Sequence, residues 1–193
     1  MSQYGNSSGA GTIFKLTPDG LFTTLYSLCP EGGTCPDGVG PDSQLVAGSD
    51  GALYGGTEQG GANGQGVIFK ITLAGEFTTL FDISNGGAHN LLQDTNGDFY
   101  GTTPTTLFRL SLGLHPFIKT APTFGQGGST VEILGTDLSG ATAGTFDGTP
   151  AAFQVVSSTE ITAAVPEGAS SGKIQVVTST STLSSNLPFT VTP

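Results

Sequence analysis

The sequence predicts an all-β chain, a partial β-propeller followed by an immunoglobulin-like β-sandwich, on three observations. A block of β-branched and alternating residues returns at a long period, short turn-flanked strands crowd both halves, and no apolar stripe of helical period competes.

The repeat runs from Gly11 to Tyr26 and returns 55 residues later, from Gly66 to Phe81. Thr12-Ile13-Phe14-Lys15-Leu16 becomes Val67-Ile68-Phe69-Lys70-Ile71, and Phe22-Thr23-Thr24-Leu25-Tyr26 becomes Phe77-Thr78-Thr79-Leu80-Phe81. A shorter echo, Leu107-Phe108-Arg109-Leu110, follows 39 residues further on. Pro18-Asp19-Gly20 supplies turn chemistry between two strand-like runs, so each copy reads as a hairpin. A second hairpin alternates with the first: Leu45 to Gly55 matches Leu91 to Gly101, with Asp50-Gly51 and Asn96-Gly97 as turns. Tyr4-Gly5 resembles the end of another copy.

Two hairpins make a four-stranded unit, the pattern of a propeller blade. The expected units are residues 11–56 and 66–102, with an extra strand at 106–110. Propellers close with roughly 4–8 blades, so two blades leave an open ring. Three copies of the chain would complete a six-bladed ring, and a homotrimer is the assembly this count predicts.

The style changes near Leu114-His115-Pro116-Phe117. Strand-like runs follow at 131–135, 144–146, 152–156, 160–165, 173–177 and 188–191, separated by turn clusters, and predict a β-sandwich. No Cys or Trp lies in this half, which argues against a disulfide-pinned antibody-type domain. The expected organisation is a propeller-like domain at 1–113, a linker at 114–119 and the sandwich at 120–193.

Five Lys and Arg stand against fifteen Asp and Glu, a net charge of −10 that repels a nucleic-acid backbone and an anionic membrane surface. No apolar run approaches the roughly 20 residues of a spanning helix, so membrane insertion is not expected. The N-terminus lacks the basic and apolar regions of a signal peptide. Cys29 and Cys35 flank five loop-type residues, and a short structural disulfide in an oxidising compartment fits them best. A redox pair, which favours C-x-x-C spacing, and half of a metal site are the alternatives. Abundant Thr, Ser and Gly with little Lys agree with an extracellular or cell-surface location.

Tyr54-Gly55-Gly56-Thr57, the stretch from Gly60 to Ile71, and Thr78-Thr79-Leu80-Phe81 resemble the GloVer tandem repeat of exported bacterial, notably acidobacterial, proteins, over approximately residues 4–112. The third copy departs from the pattern, since Thr103-Pro104-Thr105-Thr106 replaces the glycine loop. Gly135-Thr136-Asp137-Leu138, Ile161-Thr162-Ala163-Ala164-Val165-Pro166 and Leu187-Pro188-Phe189-Thr190-Val191 make residues 120–193 similar to the immunoglobulin-like IPT/TIG domain. The resemblances imply surface location and architecture; neither family brings a general catalytic constellation.

Candidate sites are few. Lys15, Lys70 and Arg109 place a cation after a phenylalanine in every copy, and beside Tyr26 or Phe81 such a cation could hold a sugar or an anion. The competing reading of each cation is a solvated strand residue. Asp94, Asn96 and Asp98 put oxygen ligands at alternate positions, as at the start of a calcium loop, with His89 nearby in sequence. Phe99 and Thr105 occupy the positions where such a loop carries Gly and Glu, so turn geometry is the simpler reading. No cofactor is otherwise required; calcium or another divalent metal is the candidate. Asp42, Glu58 and Asp82 would add carboxylates if the blades converge. Gly168-Ala169-Ser170-Ser171-Gly172 matches a nucleophile elbow literally but precedes a strand where an elbow needs a helix. The Gly60 to Gly66 loop has no Gly-Lys-Ser/Thr after it and reads as a connection between blades.

The expected function is a non-enzymatic extracellular surface or adhesion module binding polymer, glycan above all. The alternative is a metal-dependent hydrolase of esters, lactones or phosphotriesters with its site in the central channel of an oligomeric propeller. A purely structural repeat stalk is the third reading.

Overall fold

The computed structural model describes residues 1, 8–31 and 33–193. Short strands dominate, with one 3-10 turn at Leu138–Gly140 and no α-helix among the described residues. They form several sheets, none closed into a barrel. The stub at Tyr4-Gly5 lies outside the described residues. Two compact units are present, Met1–Gln93 with Phe99–Ser111, and Asp94–Asp98 with Leu112–Pro193.

In the first unit β1 (Thr12–Leu16) and β2 (Phe22–Ser27) form an antiparallel pair. The central sheet contains β3 (Val39–Pro41), β4 (Val46–Ala47), β5 (Leu53–Gln59), β6 (Val67–Ile71) and β7 (Phe77–Asp82). Both β3 and β4 pair with β5, which continues to β6 and then β7. A third sheet orders β8 (Leu91–Gln93), β9 (Phe99–Thr102) and β10 (Leu107–Leu110) as β10-β9-β8.

This grouping corrects the expected units at 11–56 and 66–102. Sheets begin at the second hairpin of one sequence unit and end at the first hairpin of the next. The Gly60 to Gly66 loop therefore joins β5 to β6 inside one sheet, where Gly55 faces Phe69 and Gly56 faces Ile68 in register. Four glycines with positive φ, at 60, 61, 64 and 66, let the chain reverse there. A repeat has no intrinsic starting point in sequence; strand pairing alone sets its phase. Nor is the strand at 106–110 alone, since it pairs with β9 from Leu107 to Leu110.

The Tyr-Gly and Phe-Lys blocks recur because they meet. The Phe69 ring lies over Gly55, where a Cβ would stand 2.7 Å from Cζ, and Phe108 lies over Gly101 in the same way. A bulge in each outer hairpin then divides the aromatics between faces. Phe69 pairs with Thr79 while Ile68 pairs with Phe81, so the extra residue Leu80 turns Phe77 and Phe81 to opposite sides. Leu25 does the same for Phe22 and Tyr26. Central strand β6 is consequently buried on both faces: Val67, Phe69 and Ile71 pack with Ile13, and Ile68 packs with Ile83 and Ala88.

The second unit adds β11 (Lys119–Ala121), β12 (Phe124–Gly125), β13 (Thr130–Leu134), β14 (Ala141–Phe146), β15 (Thr149–Pro150), β16 (Phe153–Ser157), β17 (Glu160–Ala164), β18 (Ile174–Thr178), β19 (Thr182–Ser184) and β20 (Thr190–Val191). Two four-stranded sheets, β11-β13-β17-β16 and β15-β14-β18-β19, share one core, with β12 and β20 paired in parallel. Alternation selects the inward residues: Val131 and Ile133 of β13, Ile161 and Ala163 of β17, Ile174 and Val176 of β18. Phe146 and Phe189 meet edge to face at 5.2 Å in that core.

Candidate functional site

Of the expected binding residues, Lys70 and Tyr26 each meet a carboxylate. Lys70 Nζ lies 2.7 Å from Asp50 Oδ2, which also accepts the Tyr54 hydroxyl at 3.0 Å. The ammonium stands 5.8 Å above the Tyr54 ring. Burial raises the Asp50 pKa, but hydrogen bonds from Lys70, the Ala52 N–H and Tyr54, with the Lys70 charge, outweigh it and hold the carboxyl below its ordinary value. Tyr26 donates to Asp37 Oδ2 at 3.0 Å, an oxygen that also accepts the Cys29 N–H, and its ring stacks on Phe77. Burial first and Asp37 second push the Tyr26 phenol up to about 12. Cys29 and Cys35 are bonded to each other.

Lys15, Phe81 and Arg109 remain exposed. Phe81 and Arg109 come together in a groove of the first unit, about 140 Å³, whose floor is Ile68, Ile83, Phe108 and Leu110.

The expected metal residues make hydrogen bonds of their own within each unit. His89 Nδ1 meets Asp42 Oδ2 at 3.0 Å. Asp94 Oδ1 accepts the Thr95 N–H at 2.7 Å and Asn96 Oδ1 accepts the Asp98 N–H at 2.8 Å, the self-bonding of a tight turn. Among the described residues no group of three or more His, Cys, Asp or Glu is placed to hold a metal ion. Ser170 lies in the irregular stretch before β18, and a strand follows it, not a helix.

Asp94 and Asn96 nevertheless enter a site. In the second unit they line a hollow of about 530 Å³ with Thr95, Lys119, Leu134, Thr136 and Thr159. That volume falls in the roughly 300–1,000 Å³ range of small-molecule sites, whereas the Phe81 groove lies below it. The Thr95 and Thr136 hydroxyls bond at 2.9 Å, and the Phe117 N–H donates to the Thr95 carbonyl. Lys119 sits half-buried, its ammonium 5.4 Å above the Phe117 ring. Burial lowers its pKa, and the Asp94 charge opposes that shift. Gly97 holds the turn at φ +96, and a Cβ there would run into the Leu114 carbonyl. The hollow therefore offers a carboxylate, an amide, an ammonium and three hydroxyls around the apolar side chain of Leu134. Lys119, Thr136 and Thr159 carry no sequence signal, because they converge only through the strand pairing of β11, β13 and β17.

A family model described as the Gloeobacter/Verrucomicrobia repeat matches residues 1–154. No curated protein matches the chain. Among solved structures, similarity extends to a gamma-CGTase from alkalophilic Bacillus clarkii, 18% identical over 72% of this chain and 24% of that one, with a TM-score of 0.37. The protein SGBP-B, from a xyloglucan utilization locus in Bacteroides uniformis, is 13% identical over 63% of this chain and 34% of its own, with a TM-score of 0.32. A fungal alcohol oxidase of the AA5 family in complex with copper is 13% identical over 90% and 45%, with a TM-score of 0.34. The chain thus spans less than half the length of each, and at these scores none of the likenesses bears on its function.

Proposed function

From the premise that this chain belongs to the Gloeobacter/Verrucomicrobia repeat family, we propose that it is a non-catalytic module of an extracellular surface protein that binds a polymeric glycan, one saccharide unit resting in the hollow of the second unit. The observation that carries the reading is the convergence of Asp94, Asn96 and Lys119 with threonine hydroxyls on one open hollow of sugar-binding size. Carboxylate and amide groups bond pairs of adjacent hydroxyls, the ammonium donates without accepting, and Leu134 offers an apolar surface to a sugar's C–H face. The Cys29–Cys35 bond supports an oxidising compartment.

The reading carries two architectural proposals. The sheets of the first unit are consecutive propeller blades of a ring that a homotrimer completes, and the second unit is an immunoglobulin-like IPT/TIG domain. A monomeric mass by light scattering at micromolar concentration would sink the ring.

The functional test is affinity electrophoresis and glycan-array binding of the wild-type chain, Lys119→Ala and Asn96→Ala. Binding should weaken at least about tenfold in both variants; binding unchanged in both rejects the hollow as the site. Binding or ester hydrolysis that disappears with chelator and returns with calcium would move the reading to the metal-dependent alternative.

A further inference from the structure

Among the described residues the third sheet lacks the strand that the second uses to cover itself. Along the repeat, Leu107 stands where Ile68 stands, Phe108 where Phe69, Arg109 where Lys70 and Leu110 where Ile71. In the second sheet β7 lies beside β6, and Ile68, Phe69 and Ile71 are at most 2% exposed. The equivalent β10 is the edge strand of its sheet; Leu107 is 75% exposed, and Phe108 and Leu110 are half-buried. Nothing in the character of these side chains accounts for the difference, since both strands present the same apolar pattern.

The facing surface shows the same omission. Tyr26 and Phe81 occupy equivalent positions beyond equivalent bulges, each turned toward the next sheet along the chain. Tyr26 is covered by Phe77 of β7, ring on ring at 4.3 Å. Among the described residues no ring covers Phe81 in this way, and it is 54% exposed. The groove beside it is lined by the buried Ile68 and Ile83 and by Phe108 and Leu110, and the last two are the side chains a β7-type strand on β10 would bury.

We infer that this groove is a strand acceptor: an extended polypeptide segment of the pattern aromatic-Thr-Thr-Leu-aromatic, supplied by another chain, adds antiparallel to the outer edge of β10 and lays its first aromatic ring on Phe81. The chain's own β6–β7 pair supplies the register. Phe77 lies opposite Ile71 and Phe81 opposite Ile68, so the incoming aromatics fall opposite Leu110 and Leu107. Main-chain hydrogen bonds to the edge hold the segment and the aromatic pocket selects it, as in strand addition generally. A backbone edge in register with exposed apolar side chains suits a strand, and a volume of about 140 Å³ suits one inserted ring. The proposal goes beyond glycan binding and uses a different surface, so either can fail alone.

The test is fluorescence polarisation of a labelled peptide with the sequence of residues Glu76–Asp82, titrated with the whole chain. Saturable binding is expected, at least about tenfold weaker for Phe81→Ser and for a peptide whose first Phe is Ala, and unchanged for Val156→Ser, an exposed apolar control. The peptide variant leaves the protein untouched, so its result does not depend on folding. No binding at about 1 mM protein, equal binding of both peptides, or displacement by oligosaccharide but not by unlabelled peptide would each overturn the proposal.

Discussion

Tyr26 and Phe77 stack with ring centroids 4.3 Å apart and planes 11° from parallel, and the stack joins two sheets that strand pairing does not connect. Phe77 also packs on Phe69 at 5.0 Å, so one ring ties the β1–β2 pair to the centre of the next sheet. Among the described residues no equivalent ring covers Phe81, and that asymmetry yields a direct comparison.

Phe77→Ala should destabilise the chain by about 2 kcal/mol, through lost burial and two lost ring contacts. Phe81→Ala, at an exposed position, should stay within about 0.5 kcal/mol of wild type. Urea denaturation of both variants checks this; equal losses would show that Phe81 is covered in solution.

The Tyr26 phenol titrates at about 12 in the folded chain, above its unfolded value near 10. Because the folded state holds this proton more tightly, the group's stabilisation is complete below about pH 10 and is lost as pH rises toward the folded value. Difference titration of tyrosinate absorbance against Tyr26→Phe should show a late-titrating phenol. In Asp37→Asn that phenol should titrate earlier, since the carboxylate charge is gone while burial remains. An unshifted profile in Asp37→Asn would assign the whole effect to burial.

Asp50 behaves with the opposite sign. Its folded pKa is lowered, so its pairing with Lys70 and Tyr54 stabilises the chain above the unfolded value near 3.9. That contribution disappears as pH falls through the folded value. The pair is partly solvated, so Lys70→Met should cost less than about 1 kcal/mol at pH 7. The difference from wild type should vanish in acid; urea midpoints of both proteins across the acid range measure it, and a difference that persists there would contradict the ion pair.

Gly97→Ala should cost more than about 1 kcal/mol, since a side chain is strained at φ +96 and meets the Leu114 carbonyl. Asp94 and Asn96 sit on the same turn, so glycan binding should fall together with stability. Gly51→Ala, at φ +81 in the equivalent turn of the first unit, meets no atom within 4 Å and should leave binding unchanged. Thermal melts and affinity electrophoresis of the two variants separate backbone strain from displacement of the hollow.

By itself the sequence determined the elements. The repeated Phe-Lys and Tyr-Gly blocks foretold strands β1, β2, β5, β6, β7, β9 and β10, because alternation, β-branched residues and Gly turns are local properties. In the second half β13, β14, β16, β17, β18 and β20 fall on expected runs, while β11, β12, β15 and β19, two or three residues each, are too short to show a period. The pairing of Cys29 with Cys35 was legible from spacing. Tertiary structure alone decided which hairpins share a sheet, since pairing depends on partners distant in the chain. It also placed Lys70 on Asp50 and Tyr26 under Phe77, and it brought Asp94 and Asn96 to Lys119, Thr136 and Thr159. A site built from four separate segments leaves no pattern in any one of them, because the distances that define it exist only after the strands have paired.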